Sequence, residues 1–154
     1  MKTKLFWTLA LLLCAIGLVS CSKDEPVKVN LNSQLPLGEY VYLDPVTTKS
    51  SIYFYPKNSS LYKEGELKGN CYIRGIRGYS GSVVANPDPF SNAKFDGQYL
   101  TIELGNEYYS GFYATLIFKF AEYPDRYELA YVKGESNQPN RLQYLPQMVF
   151  VQHK

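Results

Sequence analysis

The side chains that could do chemistry are few in this chain, and their spacing keeps them apart. His153 is the single histidine and the penultimate residue, a position where chain ends usually fray. A Ser-His-acid or Cys-His relay would have to use it, and a zinc site built from several histidines is excluded. Carboxylates pair at Glu64 with Glu66 and at Glu103 with Glu107, and Asp88 stands between two prolines. Glycoside hydrolysis asks for two carboxyl groups about 5–10 Å apart, one of them with a raised proton affinity. The candidates lie among lysine, glycine and asparagine, in turns such as Gly105-Asn106. Apolar sequence that would desolvate them is missing. No Asp-x-Asp-x-Asp calcium loop occurs. Gly75, Gly78 and Gly81 have the wrong spacing for a phosphate loop and predict bulges or bends in a curved sheet. The expectation is a chain with no catalytic residues, no metal and no cofactor.

Tyrosine is the compositional anomaly, with 15 in 154 residues. So many cannot fill one core, and each hydroxyl wants water or a partner, so many should face outward or line a cavity. Alternation puts Tyr40 with Tyr42 on one strand face, and Tyr53 with Tyr55 on another. Such rows offer flat aromatic surface with a polar rim, suited to stacking on sugar rings or to a protein contact.

The start of the chain concerns destination. Lys2 and Lys4 precede a charge-free apolar run from Leu5 to Val19, too short for a bilayer-spanning helix of roughly 20 residues and shaped like a removable signal. Leu18-Val19-Ser20-Cys21 resembles the lipobox of bacterial lipoproteins. The resemblance implies that Cys21 carries a diacylglyceryl thioether, becomes the first mature residue and anchors the chain. Lys23-Asp24-Glu25 just behind it resembles the export signal of Bacteroidota-type surface lipoproteins. It implies an outer-membrane lipoprotein displayed at the cell surface.

Cleavage after residue 20 leaves one domain of ordinary size. Loss of Lys2 and Lys4 reduces sixteen basic residues to fourteen, against fourteen acids. With no net charge and no basic block, nucleic acid is not an expected partner. Cys14 leaves with the signal and Cys21 is lipidated, so Cys71 has no disulfide partner and is expected as a small buried apolar residue. Residues 21–34 read as the lipidated cysteine and a flexible tether, with a reach of about 20 Å.

From residue 35 to 154 the pattern is β. Strands are predicted over 38–43, 51–55, 71–76, 82–85, 99–104, 111–123, 126–133 and 147–152. Pro87-Asp88-Pro89 predicts a loop. The clearest period is Phe112, Ala114, Leu116, Phe118 and Phe120 against Tyr113, Thr115, Ile117, Lys119 and Ala121, which a helix would break. Pro124-Asp125 predicts a hairpin turn. At most one helical turn is expected, within 57–68. The whole reads as an all-β, single antiparallel domain of about eight strands, a barrel or a β-sandwich.

Leu35-Pro36-Leu37-Gly38-Glu39-Tyr40, the eight-strand meander and the terminal Met148-Val149-Phe150-Val151 resemble small bacterial lipocalin-like lipoproteins. Gly38 and Tyr40 occupy the family's glycine-x-tryptophan opening, with tyrosine in place of tryptophan and no later Thr-Asp-Tyr turn. The combined expectation is a non-enzymatic binding module for a small apolar ligand or a glycan. The alternative is an interaction lipoprotein that docks on an outer-membrane protein through its tyrosine-rich faces.

Overall fold

The computed structural model describes residues 34–43, 49–73, 76, 88–106 and 112–154. Eight antiparallel strands form a meander in strict sequence order. They are β1 Gly38–Leu43, β2 Lys49–Phe54, β3 Gly69–Tyr72, β4 Asp88–Phe95, β5 Tyr99–Asn106, β6 Phe112–Glu122, β7 Arg126–Ser136 and β8 Val149–His153. The sheet curls until β1 meets β8, closing a barrel at a seam of one registered pair, Val41 with Val151. A barrel rather than a sandwich is the outcome, and it fits a lipocalin-like outline. Its curvature has local sources. One extra residue bulges from β4 between Phe90 and Asn92, and another from β7 opposite the Ile117–Phe118 step. Bulges bend a strand and sharpen its twist.

The period-two reading of β6 holds: Phe112, Ala114, Leu116, Phe118 and Phe120 are buried, with Tyr113, Thr115 and Lys119 exposed between them. Other boundaries move. The third strand spans Gly69–Tyr72, and the stretch 82–85 lies outside the described residues, as do Gly75, Gly78 and Gly81. The fourth strand starts at Asp88, where Pro87-Asp88-Pro89 predicted a loop. Proline is tolerated in the first residues of a strand, where no ladder hydrogen bond is lost, and Pro89 pairs with Asn70 there. Gly105 and Asn106 lie in β5 rather than in a turn. Within 57–68 the chain makes turns and a Lys63–Glu66 bridge instead of a helical turn. Short 3-10 turns occur at Pro139–Leu142 and Leu145–Gln147. His153 is exposed but not frayed, since it pairs with Arg126 in the β7–β8 ladder.

Residues outside the strands pack against both ends. At the base, Leu35 is buried, Tyr40 Oη donates to Pro36 O at 3.0 Å, and Gln152 Nε2 donates to Leu37 O at 2.9 Å. Gly38 holds φ +124, and a side chain there would collide with the Gln152 amide. At the far end Ile73, Ile76, Leu142, Leu145 and Met148 are buried, and Arg141 Nη1 donates to Ile76 O at 3.2 Å.

The β4–β5 hairpin turns on Asp96-Gly97. Asp96 Oδ1 accepts from the N–H of Tyr99 at 2.6 Å and of Gln98 at 2.8 Å, and Gly97 takes φ +96. Those hydrogen bonds, Tyr99 first, hold the carboxyl below its ordinary value of 3.8. The folded state therefore favours the ionised form. Its stabilisation is complete above the unfolded pKa and is lost as pH falls through the lower folded one. Asp96→Ala is expected to lower the urea midpoint at neutral pH. It is also expected to lose less further stability than the unmutated protein as pH drops from about 5 to about 2. Parallel urea titrations of the two proteins across that range check this.

Candidate functional site

A lipocalin-like barrel invites the question of what it holds, and here the interior is occupied by its own side chains. Phe118 meets Phe150 edge-on at 5.8 Å and Tyr131 at 5.9 Å, and Phe150 meets Tyr42 at 6.2 Å. A second chain of rings runs Tyr40, Phe54, Phe90, with centroids 6.0 and 5.3 Å apart. A third joins Phe95 to Phe120 at 5.4 Å and Phe120 to Tyr127 at 5.9 Å. Ile52, Leu100, Ile102, Leu116 and Leu129 fill the space between. Aromatic pairs at these separations are worth about 0.5–1.5 kcal/mol each beyond their area burial.

The predicted tyrosine rows separate. Tyr40 and Tyr42 face inward: Tyr40 is fully buried, and desolvation pushes its phenol well above the ordinary tyrosine range. Tyr53 and Tyr55 face outward, half-buried, in a T-shaped pair at 5.7 Å with Asn70 Nδ2 reaching Tyr55 Oη at 3.4 Å. A T-shaped pair presents one face and one edge, which makes a poor stacking platform.

Among the described residues one hollow opens at the mouth of the base, between residues packed on the core, and another on the outer wall. One, of about 250 Å³ at the base, is lined by residues including Leu35, Leu37, Tyr62, Leu67 and Phe95. The other, of about 460 Å³, opens on the wall of β5, β6 and β7 toward the far end, around Glu103, Tyr113, Thr115, Glu135 and Asn137. Register explains how β-strands assemble this cleft. Thr115 pairs with Glu103 on one side and with Glu135 on the other, so three outward side chains form one cross-strand row. Tyr113 is next along β6, opposite Gly105. The Cδ1–Cε1 edge of its ring sits beside that glycine, where even a methyl group would meet those carbons at 2.9 and 3.1 Å. Asn137 Oδ1 accepts the Tyr113 N–H at 2.9 Å and fixes the backbone behind the ring. Alternation alone could have placed Tyr113 outward. Its pairing with Gly105 needs the register, which no local pattern gives.

The remaining candidates are dispersed. Glu64 and Glu66 are exposed, and Glu66 is paired with Lys63 at 2.7 Å and Lys68 at 3.1 Å. Glu107, the partner proposed for Glu103, lies outside the described residues, as do Cys21, Lys23, Asp24 and Glu25. Asp88 opens β4. Cys71 is buried in β3. Among the described residues no group of three His, Cys, Asp or Glu gathers as a metal site, and no helix is long and apolar enough to cross a membrane. Comparison with family models, with curated proteins and with solved structures returned no match.

The interior packing has a direct test. Phe118→Ala removes the ring shared by Phe150 and Tyr131 and is expected to cost about 3–5 kcal/mol in urea unfolding. The same variant should gain the ability to bind a small apolar guest such as benzene. Uptake among the same rings by the unmutated protein would contradict a filled barrel.

Proposed function

We propose that this protein is an outer-membrane lipoprotein, anchored through Cys21 and displayed at the cell surface, that acts as a non-enzymatic binding module. Its ligand, a glycan, is held against the outer wall of the barrel. The observation that carries the reading is the ring-filled middle of the barrel, which leaves an apolar ligand no room among Phe118, Phe150 and their neighbours and moves recognition to outward tyrosines and their polar neighbours. The lipobox-like Leu18-Val19-Ser20-Cys21 and the Lys23-Asp24-Glu25 signal support the address. More than one acyl chain suits a stable anchor, because a single chain binds membrane only marginally.

A second reading, docking on an outer-membrane protein, is favoured by a specific patch. Leu43 is 76% exposed at the end of β1, and the Val41–Val151 register leads it toward exposed Val149 across the seam. Val132 on β7 and Tyr144 in the β7–β8 connection are exposed as well. Co-purification of a stoichiometric membrane protein that is lost in Leu43→Lys would favour this reading over glycan binding.

Replacing Cys21 by Ala is expected to abolish acyl labelling and release the protein from membranes. Replacing Lys23, Asp24 and Glu25 together by Ala should leave the anchor intact and remove the domain from reach of protease added to whole cells. Labelling that persists in Cys21→Ala would refute the anchor, and protease sensitivity that persists in the triple variant would refute the export signal.

A further inference from the structure

Beyond the glycan reading, we infer that the base of the barrel carries a separate site for a carboxylate with one alkyl tail, a medium-chain fatty acid. The site exists because the wall opens there. β3 begins at Gly69 and registers with β4 only at Asn70–Pro89 and Cys71–Asp88, whereas β4 runs on to Phe95. The connection from β2 swings outward and returns to the wall where the Tyr55 N–H donates to Lys68 O at 2.9 Å. Between it and β4 lies the hollow of about 250 Å³, with Leu67 from the connection and Phe95 from β4 both in its lining. Leu35 and Leu37 from the entering chain complete the apolar part. All four pack on the core, and Phe95 is steadied by its edge-on contact with Phe120 at 5.4 Å. An alkyl tail laid there leaves water without displacing a ring, which the middle of the barrel does not allow.

The rim selects the head group. Among the described residues two charged side chains line the hollow, Lys57 and Glu66. Glu66 is already paired, with Lys63 at 2.7 Å and Lys68 at 3.1 Å. Lys57 has no ion pair among the described residues, so its ammonium is the open positive charge at the mouth, with the Tyr62 hydroxyl on the same rim. Complementary charge therefore asks for an anion above an apolar floor. The volume falls just below the range usual for drug-sized ligands, which suits one chain rather than a two-chain lipid. A cationic head would meet Lys57 with like charge, and a sugar would leave hydroxyls without partners against Leu35, Leu37 and Leu67.

The experiment uses residues 22–154, which hold every described residue and lack only the acyl chains. They are titrated with hexanoate, octanoate, decanoate and 1-octanol, each below its micelle concentration, by calorimetry and by mapping of methyl shifts. Octanoate is expected to shift the methyls of Leu35, Leu37 and Leu67. It should bind roughly tenfold more tightly than hexanoate, because each buried methylene adds to the affinity. Octanol should reach the same place more weakly. Lys57→Glu, a change at an exposed side chain, should weaken octanoate at least about fivefold and leave octanol and the thermal midpoint unchanged. Leu67→Gln should weaken both ligands. Equal binding of octanoate and octanol, unmoved by Lys57→Glu, would overturn the selection of a carboxylate. Shifts at Leu116 and Leu129 instead would place the tail inside the barrel and overturn this site together with the filled middle. No binding by any of the three acids would overturn the site alone.

Discussion

Phe118 and Phe150 meet edge-on at 5.8 Å inside the barrel, and the rest of the molecule is arranged around that contact. An eight-stranded barrel has an interior just wide enough either for side chains to fill or for one small ligand. Here β6 contributes three phenylalanines to the inner face, and β1, β2, β4, β7 and β8 answer with rings of their own. Where those rings interlock, a ligand can enter only by displacing them. The same packing offsets a weak point. The β1–β8 seam has a single registered pair, so closure depends less on ladder hydrogen bonds than on Tyr42 reaching across to Phe150.

The two ends of the barrel differ in what they can display. The base carries the entering chain at Leu35 and the tight turns at Asp96-Gly97 and Pro124-Asp125. It is also where Lys154 Nζ binds Glu122 at 2.8 Å and lies over the Tyr127 ring at 4.6 Å. These exposed pairs contribute little energy singly, but they tie the last strand to the β6–β7 turn. The hollow on β5, β6 and β7 lies toward the opposite end.

How far the sequence alone leads depends on the range of the pattern involved. Alternation was legible wherever one face is buried: β6, Leu100-Ile102-Leu104 on β5 and the early Gly38–Leu43 strand all stand as read. Strand four was missed because Pro87-Asp88-Pro89, Ser91 and Asn92 look like loop sequence. Asp96-Gly97, a strong hairpin signal just behind them, marked where that strand had to end. Bulges at β4 and β7 carry no glycine and left no local trace. The inward or outward sense of the tyrosine rows was readable only as a shared face, because which face meets the core is set by the neighbouring strands. The cleft was invisible for the same reason. Glu103, Thr115 and Glu135 are brought together by register across three strands, and Glu135 was never paired with Glu103 by proximity in sequence.

The proposed function depends on a barrel whose middle is filled by its own side chains. Crystals of residues 35–154 held under xenon pressure test it most directly, because xenon enters any apolar void that can accept it. The account predicts no xenon atom within the ring formed by Leu116, Phe118, Leu129 and Phe150. A well-occupied xenon site among those residues would show a cavity where we place a solid core, and the binding site would have to be sought within the barrel.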